Sequence, residues 1–188
     1  MSVHGGGSMS FFAWPESICV GIPLLDDDHE IIIRLNMRLQ DCLERQEDLA
    51  TLAEICERLI AYSEVHVARE DMIMVACAYP DLNRHREDHS EFIQGLHAFM
   101  NRYTANPDRI VLREFLAYLR EWVEQHVLIE DVRMGTYAAR HRRSREVAEA
   151  LSPLIWYDFK LTAAEHRLSF LIAPSAQAGT TSRGLPPH

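Results

Sequence analysis

The stretch of residues 66–89 reads HVAREDMIMVACAYPDLNRHREDH, and its polar side chains recur at helical spacing. It contains two pairs of potential metal ligands, each four residues apart: His66 and Glu70, then His85 and His89. Residues four apart lie on the same helix face, so the members of each pair can reach a common site. Pro80 separates the pairs and disfavours a helix running through the residue before it. The stretch therefore predicts two consecutive helices, each carrying one ligand pair.

A further histidine extends this pattern towards the N-terminus. His29 lies 18 residues before Glu47, at a polar break in the chain, and His66 lies 19 residues after it. At a rise of about 1.5 Å per residue, both imidazoles are roughly 30 Å from this break. Two antiparallel helices joined there would bring the two histidines to the same level.

The second half of the chain repeats this arrangement around Asn106. Its ligands are His85, His89, His126 and Asp131. The first two precede Asn106 by 21 and 17 residues, and the last two follow it by 20 and 25 residues. In an up-down-up-down bundle with short loops, these positions and those of His29 and His66 share one end of the molecule.

We therefore predict an all-α fold: an antiparallel up-down-up-down four-helix bundle with an N-terminal arm and a partly helical C-terminal extension. The helices are expected to begin near Asp26, at Asp48, just after Asp81 and at Asp108, and the last to end near Gly135. Residues 1–10 are predicted to be a flexible leader, 11–135 the bundle, 136–173 the extension and 174–188 a disordered tail.

Composition limits the class of protein. The 188 residues are 47% hydrophobic and 25% charged, as in one soluble domain with an extension. The 28 acidic and 19 basic residues give a net charge of −9, which disfavours a nucleic-acid partner. No apolar run approaches the about 20 residues of a membrane span, so we expect no membrane association and a cytoplasmic location. Four cysteines without a C-x-x-C pair predict buried, reduced thiols.

Each ligand taken alone has an ordinary explanation. The pair His85 and His89 could be a polar helix surface, and His29 or His126 a hydrogen-bonded core histidine. These explanations do not account for the whole set, because burying five imidazoles and two carboxylates without a cation has a large desolvation cost. Seven ligands without a thiolate are too many for one tetrahedral zinc, whereas imidazole with bridging carboxylate suits a pair of irons. We predict a two-metal site.

The motifs together resemble those of a known family. They are Trp14, Val20-Gly21-Ile22, Asp26-x-x-His29, His66-x-x-x-Glu70, Tyr79-Pro80, His85-x-x-x-His89, Trp122-x-x-x-His126 and His126-x4-Asp131. Over about residues 14–135 the chain resembles the hemerythrin family in its bacterial single-domain form, bacteriohemerythrin. The resemblance implies a di-iron cofactor with a bridging oxo or hydroxo group.

The resemblance also implies a role for each ligand. His85, His89 and His126 would bind one iron, and His29 and His66 the other. Glu70 and Asp131 would bridge the two irons, and O2 would bind at an open position on the two-histidine iron.

The predicted O2 pocket consists of Ile32, Val67, Trp122, Val123 and Val127. The family commonly has phenylalanine at the position of Val67, so a valine there would widen the pocket. Alternatively, a flexible neighbour such as Met37 or Met72 fills the space.

Two local features of the backbone and its surroundings are also predicted. Asp26, one turn before His29, is either a carboxylate that orients a ligand or a helix N-cap. His126 and Asp131 are five residues apart and so diverge by about 140° on a regular helix. Either the centre lies between their directions or an i→i+5 bulge occurs between Val127 and Asp131, and we favour the bulge.

The function expected from this resemblance is reversible, non-enzymatic O2 binding for carriage, storage or delivery. One alternative is a di-iron oxidase, peroxidase or nitric-oxide-handling enzyme. Another is an O2 or iron sensor that signals through the C-terminal extension, where a protein partner could dock.

Overall fold

The computed structural model describes residues 19–152, and within them the chain is helical. The helices are α1 (Pro23–Glu44), α2 (Leu49–Cys77), α3 (Leu82–Ala105), α4 (Arg109–Trp122), a π-helical segment (Val123–Asp131) and α5 (Val132–Ala138). The π segment and α5 continue α4 without a break, and residues 142–152 form a further helix, α6. The predicted all-α fold is confirmed.

The first four helices pack in chain order and close into a bundle. α1 packs on α2, α2 on α3, α3 on α4, and α4 back on α1. Because the connections are only a few residues long, consecutive helices run in opposite directions. Their interior faces carry completely or almost completely buried apolar side chains, among them Leu39, Leu52, Leu59, Leu96, Leu112 and Phe115.

Two of the predicted helix starts are confirmed by their capping bonds. Asp48 caps α2, since its carboxylate accepts the Thr51 backbone N–H at 2.9 Å. Asp108 caps α4 by accepting the Ile110 backbone N–H at 2.9 Å. Each bond satisfies a backbone donor that the first helical turn leaves without an intrahelical partner.

The predicted start of α1 at Asp26 is wrong. The helix begins three residues earlier at Pro23, whose missing N–H costs nothing at the first helical position. Asp26 instead accepts the Val20 backbone N–H at 2.6 Å. It therefore fixes the segment that enters the helix and does not cap it.

The predicted end of the fourth helix at Gly135 is also wrong, since α5 continues to Ala138. A Cβ at residue 135 would overlap the carbonyl oxygen of Val20. Gly135 thus permits the chain before α1 to lie directly against α5, and its glycine is required by close packing and not by helix termination.

Other predictions are settled only in part. Cys42, Cys56 and Cys77 are buried free thiols as predicted, but Cys19 is exposed. No helix within residues 19–152 is long and apolar enough to cross a membrane. The leader, the arm before residue 19, the extension beyond residue 152 and the tail lie outside the described residues.

We predict that Gly135→Ala lowers the unfolding free energy of the metal-free protein by about 1–3 kcal/mol, the usual range for overpacking. Alanine is the better helix former, so helix propensity alone predicts the opposite sign. Urea denaturation measures the change, and Thr136→Ala on the exposed side of α5 is the control, expected to shift stability by less than about 0.5 kcal/mol. A stabilised Gly135→Ala protein would contradict the close packing.

Candidate metal centre

The structure brings all seven predicted ligands to one end of the bundle interior, where each is at most 5% exposed. Their donor atoms form two groups, within each of which all atoms lie within 4.8 Å of one another. One group contains His85, His89, His126 and Asp131, and the other contains His29, His66, Glu70 and Asp131. Asp131 belongs to both groups.

The three-histidine group is held on α3 and the π segment. Nε2 of His85 and Nε2 of His126 lie 3.2 and 3.1 Å from Oδ1 of Asp131. Nε2 of His89 lies 3.1 Å from Oε2 of Glu70. All three imidazoles thus direct the same ring nitrogen towards the carboxylates.

The two-histidine group faces the opposite oxygens of the same carboxylates. Nε2 of His29, on α1, lies 3.5 Å from Oδ2 of Asp131. Nε2 of His66, on α2, lies 3.9 Å from Oε1 of Glu70. Each carboxylate therefore presents one oxygen to each histidine group, which is the arrangement required of a ligand shared between two metal ions.

The π-helical segment explains how His126 and Asp131 reach one centre. On a regular helix these side chains would diverge by about 140°, whereas a π-helix bonds i to i+5 and returns to the same face after about five residues. The observed segment, Val123–Asp131, confirms the predicted bulge and begins four residues earlier than expected. It lets one helix supply a ligand to the three-histidine group and a carboxylate to both groups.

The unpaired atoms of the site fit a metal pair. Both ring nitrogens of His29, both carboxylate oxygens of Glu70 and Oδ1 of Asp131 are buried without a hydrogen-bond partner. Buried polar atoms in native proteins are nearly always satisfied, so this concentration requires an explanation. Metal coordination satisfies imidazole and carboxylate donors together.

The electrostatics of the site also require positive charge at its centre. Burial opposes protonation of His66, but the charge of Glu70 and its neighbouring carboxylates raises the His66 pKa to about 9. Burial likewise opposes protonation of His85, yet the adjacent carboxylates of Asp131 and Glu70 raise its pKa to about 10. Burial and Asp131 raise the pKa of Glu70, but His66 and the adjacent imidazoles of His85 and His89 lower it to about 2. In the metal-free protein, protons on the imidazoles thus supply the positive charge that bound metal ions would supply.

A carboxylate that lies beside a histidine of the site belongs to Asp28, which is next to His66, and not to the predicted Asp26. Oδ2 of Asp28 lies 3.5 Å from Nδ1 of His66, on the ring edge opposite the carboxylate cluster. Asp28 is completely buried, and it accepts hydrogen bonds from Arg69 and from the Tyr62 hydroxyl, each at 2.7 Å. Such carboxylates fix the ring orientation of ligating histidines. Sequence reasoning missed this network because Tyr62 and Arg69 lie 34 and 41 residues after Asp28.

An enclosed cavity of about 20 Å³ borders the two-histidine group at His29 and His66. Four of the predicted pocket residues line it: Ile32, Trp122, Val123 and Val127. Four lining residues were missed: Ile33, Ser63, Phe92 and Leu119. The missed residues on α1 and α2, Ile33 and Ser63, lie four residues after His29 and three before His66, a helical spacing that could have revealed them.

Val67, the fifth residue of the predicted O2 pocket, does not line this cavity. Val67 is partly exposed, because it directly follows His66 and is turned about 100° from it around α2. Met37 and Met72 do not fill the cavity either, since they are 53% and 44% exposed. The valine therefore does not widen this cavity.

Trp122 joins the cavity wall to the three-histidine group. Its ring stacks on Phe92 at a centroid distance of 4.1 Å and on the His126 imidazole at 3.9 Å. The stack restricts the plane of the His126 ring within the three-histidine group.

These features define a helical bundle protein whose buried imidazoles and shared carboxylates form a non-haem two-metal site. The chain belongs to the hemerythrin family, since residues 20–138 match the Hemerythrin HHE cation binding domain. Membership in this family implies a non-haem di-iron cofactor, and the two donor groups fit a pair of ions.

Curated relatives agree with this assignment. Bacteriohemerythrin from Ralstonia nicotianae is 31% identical over 143 residues, which cover 76% of this chain and all 100% of that protein. Bacteriohemerythrin from Pseudomonas aeruginosa is 28% identical over 141 residues, covering 75% and 90%. Myohemerythrin from Riftia pachyptila is 25% identical over 116 residues, covering 62% and 84%.

We predict that binding of Fe²⁺ to the metal-free protein releases protons at pH 7. His66 and His85 have pKa values of about 9 and 10 there, so both are protonated and must lose protons to coordinate. Apparent Fe²⁺ affinity should therefore increase as the pH rises from 6 towards 9. Anaerobic calorimetry in buffers of different ionisation enthalpy measures the release, and a proton count of zero at pH 7 would contradict the raised pKa values.

The buried pair of Arg69 and Asp28 gives a prediction for stability. We expect Arg69→Met to lower the unfolding free energy of the metal-free protein by roughly 3–5 kcal/mol, because the completely buried carboxylate would lose its cation. The matched control is Arg34→Met, which breaks an exposed pair with Glu30 and should cost less than about 1 kcal/mol. Equal losses of unfolding free energy in the two variants, measured by urea denaturation, would show that the buried pair contributes no more to stability than the exposed pair.

Proposed function

We propose that the protein binds O2 reversibly at a non-haem di-iron centre and serves in oxygen carriage, storage or delivery. Three findings support the proposal: family membership, two adjoining groups of buried donors, and an enclosed cavity beside only one of them. The cavity is the observation that carries it, because a site of this kind needs space for a small ligand next to an open coordination position.

We assign one iron to His85, His89 and His126 and the other to His29 and His66. Glu70 and Asp131 would hold both irons as shared ligands, together with a bridging oxo or hydroxo group. The assignment is supported by the oxygens of Asp131, of which Oδ1 faces His85 and His126 while Oδ2 faces His29. It is supported equally by Glu70, whose two oxygens face different histidine groups.

The unequal number of histidines gives the two irons different roles. The two-histidine iron has one protein ligand fewer, and the cavity borders His29 and His66. A di-ferrous pair held by these residues would supply the electrons and the open position for reversible O2 binding. The protein's part is to orient the imidazoles, to hold bridging carboxylates ionised and to exclude water with an apolar wall.

The size of the cavity favours a diatomic ligand over an organic substrate. An enclosed space of about 10–15 Å³ holds a single water molecule, and this cavity measures about 20 Å³. Its wall contains aliphatic and aromatic side chains such as Ile32, Leu119 and Val127. A small apolar space admits O2 and keeps out bulk water, which would promote irreversible oxidation of the iron.

Stopped-flow mixing of the anaerobic di-ferrous protein with O2 tests the proposal. We expect a coloured adduct that persists for minutes and releases O2 under vacuum, with recovery of the di-ferrous spectrum. Rapid decay with continuous O2 consumption would instead identify an oxidase or peroxidase. The absence of any O2-dependent spectrum would refute O2 binding.

We predict that Glu70→Ala reduces the iron content from two ions to one or none per chain, because Glu70 contacts both histidine groups. Removal of one terminal ligand in His89→Ala should reduce it less. Glu64→Ala is the matched control on α2, since Glu64 is 47% exposed and pairs with exposed His97. Metal analysis and the visible spectrum give the result, and two irons with an unchanged spectrum in Glu70→Ala would refute the bridging role.

A further inference from the structure

One residue in the wall of the ligand cavity differs chemically from its neighbours. Ser63 presents the only hydroxyl among the described residues that line the cavity, and most of the others are aliphatic or aromatic. Ser63 lies on α2, three residues before His66, so both side chains project from one face of the helix. The hydroxyl is therefore on the same side of the site as the two-histidine group.

The hydroxyl of Ser63 is buried and unpaired. The residue is 1% exposed, and its Oγ has no hydrogen-bond partner. Serine and threonine within helices commonly bond back to the carbonyl four residues earlier, as Thr104 does to Met100 O at 2.9 Å. Ser63 makes no such bond. A buried hydroxyl without a partner is unfavourable, so a ligand that accepts a hydrogen bond from it gains an interaction that costs no further desolvation of the protein.

We propose that Ser63 Oγ donates a hydrogen bond to the small ligand held beside His29 and His66, and thereby selects ligands that carry negative charge on an outer atom. Azide is one such ligand, and O2 that has taken up electron density from the irons is another. The inference rests on the function proposed above. The volume of about 20 Å³ supports it, because an occupant of so small a space lies close to the residues that line it.

Two matched variants test the role of the hydroxyl. Ser63→Ala removes it, and Ser90→Ala removes an exposed hydroxyl on α3 that only accepts from Gln94. We expect Ser63→Ala to weaken azide binding to the di-ferric protein about five- to tenfold and to accelerate O2 release by a similar factor, as for loss of one hydrogen bond. Iron content should stay at the parent value. Ser90→Ala should match the parent throughout.

Two further measurements distinguish a ligand contact from a structural role. The infrared stretch of bound azide should shift between H2O and D2O in the parent and shift less in Ser63→Ala. The unfolding midpoint of the metal-free protein should be unchanged or higher in Ser63→Ala, because no protein hydrogen bond is lost and alanine favours the helix. A lower midpoint with parental azide affinity would assign Ser63 a structural role and overturn the inference.

The outcomes separate this inference from the proposed function. Azide binds the di-ferric protein whether or not O2 binding is reversible. Failure of reversible O2 binding with azide affinity still dependent on Ser63 refutes the carrier function and supports the hydroxyl contact. Reversible O2 binding with parental affinities in Ser63→Ala supports the carrier and overturns the contact. A parent protein that holds no iron overturns both.

Discussion

The structure depends on the burial of two carboxylates among five imidazoles at one end of the helical bundle. Such a cluster is stable only if positive charge lies at its centre, whether as protons on the imidazoles or as metal ions. The pKa of His85 is therefore raised to about 10 and that of Glu70 lowered to about 2. Because these residues come from all four sides of the bundle, a bound metal pair would tie the helices together and would contribute to folding.

The backbone is adapted to this cluster at the one place where regular geometry would fail. Five residues separate His126 from Asp131, and the π-helical segment Val123–Asp131 turns both side chains inward. A π-helix is rare and occurs mainly at functional sites, because its geometry is poorer than that of an α-helix and needs compensation elsewhere. Here the compensation is the ligand set, together with Trp122, which packs between Phe92 and His126.

The two histidine groups have different surroundings. The two-histidine group borders a small cavity with an apolar wall and one unpaired hydroxyl, that of Ser63. Asp28 lies beside the Nδ1 edge of His66 and is itself paired with Arg69. The two-histidine group therefore has both an unpaired hydroxyl and a buried ion pair among its neighbours.

The sequence by itself determined the helices, their order and the seven residues that cluster, since these follow from periodicity, capping residues and spacing along a single chain. It also favoured the π-helical segment, because two inward side chains five residues apart diverge on a regular helix. Only the tertiary structure decided which neighbours serve those ligands. Adjacent residues on a helix point in different directions, so Val67 lies outside the cavity and Ser63 lines it. Contacts between elements distant in sequence also place the Asp28 carboxylate, and not that of Asp26, beside His66. Such a contact likewise packs Val20 against Gly135.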